Sequence, residues 1–477
     1  MLNGLSHGNS HRITPINGAS TGDGSRCVSG ETIDIAMIGL GTVGGGVVRL
    51  LARHGDEYTR RLGRPLRLRR VLVRNANRHR QSVNETFKGA GAQTIISADT
   101  ITDDVDTFFS DASTSIMIEV AGGVDPAGDY VRRTLESGNH VVTANKSLLA
   151  ARGIELFDTA ARHNASLAFE ASCAGGIPIV TSLLFGLAAN RVSGLYGILN
   201  GTCNYILTQM TQHGTTYADA LTQAQQLGFA EADPSLDVTG QDAAQKLAIL
   251  AALAFGARTH ERDVTVLGID TLDLADIKFG AELGYDVKLL GIAERSETNG
   301  RMSLGVQPCF VHRDEPIAQI YGSFNAVSVY GDAVGHVMQM GRGAGQMPTA
   351  SAVVSDLINI AAGWYPRAFA KVASSIASGG MPDVIHADEL TARFYLRFNM
   401  RDEPGVMAKV ATILGTADIS ISAALQHEQI VDGFVPVVVV THNAKQGRLR
   451  EALSRIEALD TIYASPVSIR IVDLPGG

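Results

Sequence analysis

The sequence predicts an α/β chain in three parts: a mostly parallel, doubly wound sheet, an α+β domain, and a small ferredoxin-like βαββαβ tail. Three observations carry this. Short apolar strand patterns alternate with helical patterns from Ile33 to Glu170. From Gly175 onward, long helical patterns rich in Ala, Leu and Gln take over. Residues 392–477 then run through strand, helix, two strands, helix and strand in an order of their own.

Taken in order, residues 1–30 are rich in Gly, Ser, Asn and His, have no apolar segment, and read as a disordered leader rather than a secretory signal. Ile33–Ile38 is a continuous apolar strand that enters a glycine-rich turn and a helical pattern from Val43 to Arg53. Further strands are expected at Leu66–Val73, Ser115–Val120, His140–Thr143 and Ser166–Glu170, with a helix over Asp125–Ser137. This first domain spans 31–170 and is completed by about 341–370, where a Gly-rich turn leads into a helix that returns to it. The second domain, 171–340, holds helices at Thr215–Leu227 and Gln241–Phe255 and a strand-like Gly284–Ala293. Residues 371–391 read as a linker, because Ser374–Pro382 is dominated by Ser, Ala and Gly. The tail is expected to form strands at Ala392–Asn399, Ile419–Leu425, Phe434–Thr441 and Ser465–Val472, and helices at Val406–Ala417 and Gly447–Leu459. It reads as an independent small domain.

The 477 residues accommodate about three domains at ~150 residues each, and a hydrophobic share of 45% suffices for several cores. Net charge is −8 with both signs dispersed, which argues against a nucleic acid or an anionic membrane as partner. The cysteines, Cys27, Cys173, Cys203 and Cys309, form no CxxC pair. A disulfide framework or thiolate zinc site is therefore not expected, and the setting reads as reducing and cytoplasmic. No apolar run reaches the ~18 residues of a membrane-spanning helix.

Gly39-Leu40-Gly41-Thr42-Val43-Gly44 is a GxGxxG turn between a strand and a helix, the arrangement of a Rossmann-type dinucleotide-binding domain. Gly39, Gly41 and Gly44 let the backbone turn tightly and approach a pyrophosphate at the helix N-terminus. The second strand ends in Arg74, not in the Asp or Glu that holds an NAD ribose. Arg74 accommodates a 2′-phosphate, which favours NADP over NAD, although a lone Arg also suits plain solvent exposure. Further on, Gly228–Lys246 gathers Glu231, Asp233, Asp237, Asp242 and Lys246 around a Pro and a Gly. Asp242 and Lys246 are i,i+4 on a predicted helix, which fits two readings. One is a surface ion pair worth a few tenths of a kcal/mol. The other is a lysine held by carboxylates that polarises a carbonyl and moves a proton. Cys173 and Cys203 are either nucleophiles or plain packing.

Six motifs in order resemble the homoserine dehydrogenase family: GLGTVGGGV (39–47), TANKSLLA (143–150), FEASCAGGIPI (169–179), GILNGTCNYIL (197–207), LGFAEADPSLDVTGQDAAQKL (227–247) and GRGAGQMPTASAVVSDL (341–357). The resemblance implies reversible NAD(P)H-dependent reduction of L-aspartate 4-semialdehyde to L-homoserine, in threonine, methionine and isoleucine biosynthesis. It makes Lys246 the acid/base lysine and Asp242 its partner. Glu231 matches the homoserine-binding glutamate, Asp237 supports it, and Gly201 and Thr202 meet the amino-acid end of the substrate. Thr42, Val43, Arg74, Thr143 and Lys146 fall on cofactor-contacting positions. Family members also hold a monovalent cation, usually sodium, through the backbone of the stretch matching Glu170, Cys173, Gly175 and Ile177. Two departures stand out. Cys173-Ala174 replaces the usual valine-glycine pair, and Phe229 sits where Tyr is common. The tail, with Arg401-Asp402-Glu403-Pro404-Gly405-Val406 at its strand-to-helix turn, resembles an ACT regulatory domain. It implies either feedback by L-threonine or a dimerisation module without ligand. The resemblance also implies a homodimer or homotetramer, with the second domain carrying both substrate and dimerisation surfaces. Two rivals are a semialdehyde dehydrogenase with a thiol nucleophile and a catalytically silent amino-acid sensor.

Overall fold

The computed structural model describes residues 32–86, 95–378, 380–427 and 433–475. The expected leader and Cys27 lie outside them. Six strands make the first sheet: β1 (Ile33–Ile38), β2 (Leu66–Leu72), β3 (Ile101–Thr102), β4 (Ile116–Glu119), β5 (His140–Thr143) and β6 (Leu167–Ala168). Their order is β3-β2-β1-β4-β5-β6, parallel throughout. Strand order reverses between β1 and β4, which opens a crevice at their C-terminal ends. All residues of β1 and β4 are buried, as a parallel sheet covered by helices on both faces demands. The helix after β1 runs from Thr42 to Leu62, well past the expected Arg53, and stops where Gly63 adopts φ 69°. The helix Gln346–Ala361 packs on it. A Cβ added at Gly46 would stand 2.8 Å from Ala350 Cβ, so the glycine permits that close crossing.

The expected linker is partly a helix. Trp364–Ser378 is helical, and Tyr365, Phe369 and Ile376 are buried along it. The Phe369 ring lies 5.8 Å from that of Phe157 on the helix Lys146–Arg162. Helical spacing of three large apolar residues outweighs the Ser and Ala between them.

The second sheet begins with β7 (Val192–Ile198), β8 (Thr265–Val266), β9 (Tyr285–Arg295), β10 (Met302–His312), β11 (Phe324–Gly331) and β12 (Gly335–Arg342). The tail adds β13 (Thr391–Arg401), β14 (Ile421–Gln426), β15 (Phe434–Thr441), β16 (Ala444–Lys445) and β17 (Ile462–Val472). All belong to one continuous sheet along the path β12-β11-β7-β9-β10-β17-β13-β15-β14, with β8 and β16 pairing beside it. The tail is therefore not independent. Its β17 pairs in parallel with β10 from Cys309↔Arg470 to Val311↔Val472.

Strand β13 shows why. Phe394, Leu396, Phe398 and Met400 point into the tail's own core under its two helices. The alternate residues Tyr395 and Arg397 face the helix Leu274–Glu282 of the second domain. There Arg397 donates to Asp276 Oδ1 at 2.5 Å and Oδ2 at 2.8 Å, and the Tyr395 hydroxyl donates to Oδ1 at 2.8 Å. Asp276 is 1% and Arg397 9% exposed, so each charge depends on the other. Arg397→Met should cost ~3–5 kcal/mol by stranding the Asp276 carboxylate, and adding Asp276→Leu should recover most of it. Denaturant unfolding of both variants checks this, and equal stability of Arg397→Met and wild type would refute the role of the pair.

Candidate active site

The crevice of the first sheet holds the glycine turn. Gly39 has φ 97°, and a Cβ there would meet the Val120 carbonyl at 2.8 Å. A Cβ at Gly44 would collide with the Gly39 carbonyl, whereas one at Gly41 would meet nothing within 4 Å. Gly39 and Gly44 thus serve the turn and its packing, and Gly41 is the open face that a phosphate can approach. Thr42 is exposed and Val43 half-buried at the start of a helix with no acid in its first turn, which leaves the positive end of the dipole free. Beside the turn lies a hollow of about 460 Å³ lined by Gly39, Gly41, Arg74, Arg78, His79 and Tyr130, among others. Arg78 and His79 were not singled out from the sequence, though their place just past the β2 end was a signal for them.

Thr143 acts indirectly. It is fully buried, donates its hydroxyl to Glu119 Oε2 at 2.7 Å, and accepts the Asn145 N–H at 3.0 Å. Glu119 Oε1 takes the N–H groups of Ala121 and Gly122 at 2.9 and 3.1 Å. The pair fixes the loops that leave β4 and β5.

A second cleft, of about 520 Å³, brings together Lys146, Gly201, Thr202, Glu231, Asp237, Asp242 and Lys246. Asp242 and Lys246 stand on the helix Gln241–Phe255, which starts after Gly240 in a left-handed conformation, φ 88°. Lys246 Nζ donates to Asp242 Oδ2 at 2.7 Å and to the Leu199 carbonyl at 2.8 Å. Lys146 Nζ, in the first turn of its own helix, lies 3.3 Å from Asp242 Oδ1. The side chains of Asp242 and Lys246 are only 9% and 12% exposed, which rules out the surface-pair reading.

Asn200, absent from the sequence expectations, ties the cluster together. Its Oδ1 caps the helix Gly201–His213 through the Cys203 N–H at 2.8 Å. Its Nδ2 donates to Asp237 Oδ1 at 2.7 Å and Asp242 Oδ2 at 2.8 Å. An Asn just before a helical run is the N-cap signature that pointed to it. Thr202 donates to the Phe229 carbonyl at 2.7 Å and so closes the loop that carries Glu231 at the cleft rim.

Environment separates the two aspartates. Burial works to raise the Asp242 carboxyl, but the ammonium groups of Lys246 and Lys146 outweigh it and hold it below the usual range. Asp237 has no such neighbour within its hydrogen bonds. Burial, reinforced by the Asp242 charge, pushes it upward against the Asn200 amide.

Around the loop expected to hold a cation, Ala174 and Gly175 both take left-handed backbone, φ 52° and 56°. Ala174 thus occupies, with a side chain, a conformation that favours glycine. The Glu170 carboxylate accepts the Val180 and Thr181 N–H groups at 2.8 and 2.7 Å, so it braces the loop. Cys173 and Ile177 are buried. Burial pushes the Cys173 thiol up to about 12 and raises Cys203 well above its ordinary value. Both side chains are fully buried, which suits packing rather than a nucleophile that a substrate can reach.

A dinucleotide crevice at a topological switch point, next to a buried lysine–carboxylate cluster in a separate substrate cleft, defines a nicotinamide-dependent oxidoreductase. The comparisons specify which. Residues 178–358 match the family model for homoserine dehydrogenase, 39–170 that for homoserine dehydrogenase, NAD binding domain, and 394–460 that for the ACT domain. The homoserine dehydrogenase of Pseudomonas aeruginosa is 38% identical over 93% of this chain and 100% of its own length. That of Corynebacterium glutamicum is 36% identical over 93% and 96%. A crystal structure of a homoserine dehydrogenase from Thiobacillus denitrificans superposes with TM-score 0.84 at 38% identity, covering 93% of this chain and 99% of that one. A hyperthermophilic archaeal homoserine dehydrogenase in complex with NADPH aligns over 69% of this chain and 97% of that one, at 26% identity and TM-score 0.56. The chain belongs to the homoserine dehydrogenase family. Its activity is the NAD(P)-dependent oxidation of the homoserine CH–OH group and the reverse reduction of the semialdehyde.

The raised Asp237 sets a sign for pH dependence. As pH falls from neutral, Asp237 takes up its proton before Asp242 does, and the cleft loses negative charge. Asp237→Asn should lower kcat/KM for homoserine by about 10–100-fold at neutral pH, the worth of a charged hydrogen bond. It should also move the acid limb of the pH–rate profile downward. An unmoved acid limb would show that another group sets it.

Proposed function

We propose that Lys246 is the acid/base of the reaction, that NADP is the preferred cofactor, and that the tail senses L-threonine. The observation that carries the first reading is the double hold on Lys246 Nζ by Asp242 and the Leu199 carbonyl. An ammonium has three N–H donors. Two are committed, and the third is left for the substrate oxygen in the cleft. In homoserine oxidation the neutral Lys246 amine, its two N–H groups on Asp242 and the Leu199 carbonyl, takes the hydroxyl proton on its lone pair as the C–H hydride departs; in reduction the resulting ammonium returns that third proton to the developing alkoxide. Held over the Gly39–Gly44 turn, a nicotinamide cofactor would accept or supply the hydride. Asp242 keeps its charge and orients Lys246, Lys146 adds positive potential at the same carboxylate, and Glu231 with Asp237 anchors the substrate ammonium.

Arg74 and Arg78 on the adenosine side of the crevice support NADP, since both are exposed guanidinium groups suited to a 2′-phosphate. A cation at 170–177 would be held by main-chain carbonyls. Among the described residues no three His, Cys, Asp or Glu side chains gather to hold a metal, and an all-oxygen carbonyl set suits a hard alkali ion such as sodium. The continuous sheet between tail and second domain supports a regulatory reading, because a change in the tail bears directly on β10. Strand β12 is an open sheet edge with Met340 exposed, which supports a homodimer or homotetramer. A cytoplasmic setting suits the free, buried Cys173, Cys203 and Cys309. No helix among the described residues is long and apolar enough to cross a membrane.

The test is the initial rate of homoserine oxidation with NADP and with NAD, with and without millimolar threonine. Lys246→Ala should cut kcat by about 10²–10⁴-fold with cofactor affinity kept, and unchanged turnover in the folded variant retires the assignment. Arg74→Gln should narrow the NADP preference by roughly tenfold. Rates indifferent to threonine would make the tail a structural module.

A further inference from the structure

Lys246 is held by two acceptors, and only one of them, Asp242, is a side chain. The other is the carbonyl of Leu199, at the turn from β7 into the helix Gly201–His213. A main-chain carbonyl at a turn keeps its direction only if something else holds it. Here Asn325, the second residue of β11, donates its Nδ2 to that same carbonyl at 3.0 Å.

Asn325 is 1% exposed, lines the substrate cleft, and has its Oδ1 buried without a partner. A residue kept only for packing has no reason to carry an unpaired buried polar atom, which costs stability. Two cleft glycines make room for it. A Cβ at Gly343 would overlap the Asn325 amide group, and one at Gly201 would stand 3.3 Å from Asn325 Oδ1. The strand is pinned on both sides, Ala326 pairing with Ile198 in β7 and Asn325 with Gly341 in β12. The approach to it is pinned from below. Asn204 Nδ2 donates to the Ile320 and Phe324 carbonyls at 3.2 and 3.1 Å, and buried Lys288 donates to Ile320 at 2.6 Å.

We infer that Asn325 is a positioning residue for the reaction: by fixing the Leu199 carbonyl it keeps the Lys246 ammonium aimed so that its third N–H meets the substrate oxygen. This rests on Lys246 being the acid/base. With the Asn325 donor removed, the carbonyl is free to turn away, and the ammonium loses one of its two acceptors. Its direction is then no longer set.

The experiment compares full-length Asn325→Leu with wild type. Leu keeps the volume and the branch point and loses only the hydrogen bond, so a packing role survives the change and a positioning role does not. We expect kcat for homoserine oxidation to fall about 10–100-fold. KM for homoserine should change less than about threefold, as expected for an interaction that matters only at the reacting atoms. Where Asn325→Leu does not fold, as judged by circular dichroism and Tm, Asn325→Ala is measured in its place. A kcat within twofold of wild type, or a change confined to KM, overturns the inference. Lys246→Ala, run alongside, separates the two readings. Retained turnover there retires the acid/base reading itself, whereas its loss beside indifferent Asn325 variants retires only the role of Asn325.

Discussion

The buried carboxylate of Asp242 is the constraint on which the site depends. A charge taken out of water must be met by opposite charge and hydrogen bonds, or it costs several kcal/mol and neutralises. The chain meets it from three separate segments: Lys246 one helical turn away, Lys146 from the first domain, and Asn200 from the β7 turn. Each element that supplies a partner is thereby held to the others. Lys146 follows β5 of the dinucleotide-binding sheet, so the same carboxylate that holds Lys246 also ties the cofactor domain to the substrate domain.

The polar cluster works because apolar structure surrounds it. Asp242 opens a helix whose following residues Ala243, Ala244, Leu247, Ala248, Leu250 and Ala251 are all buried, which excludes water on that side. In such surroundings the Lys246–Asp242 interaction is stronger than at a surface. The two thiols nearby illustrate the other side of the same environment. Burial raises the Cys173 and Cys203 thiols against the weaker pull of the Lys246 ammonium, and both pack into the core.

A similar principle joins the tail to the body. Strand β13 is buried on both faces, one by the tail's own helices and one by the helix that carries Asp276. Arg397 on the second face has its charge met by Asp276 and, at 3.4 Å, by Asp273 just before the same helix. The tail thus combines a core of its own with a seam shared with the substrate domain, through β17 on β10 and through one buried ion pair.

Much of this was legible in the residues. The strand–glycine turn–helix order at 33–53, the tail's alternating strands, and the 227–247 motif marked the fold class and most of the site, because local backbone needs and hydrophobic period are written in neighbouring residues. The helical pattern at 364–378 was obscured by small residues, and β3 and β16 are too short to show a period. Asn325 carried no pattern at all. It matters because β11 lies beside β7, which sets its amide on a carbonyl 126 residues away in sequence. By itself the sequence determined which residues could bind a dinucleotide and carry a proton. Only the tertiary structure decided that Asp242 is buried among two lysines and an asparagine, that Cys173, Cys203 and Cys309 are buried, and that the tail continues the main sheet. Charge pairing and burial depend on distances between segments, and spacing along the chain does not contain those distances.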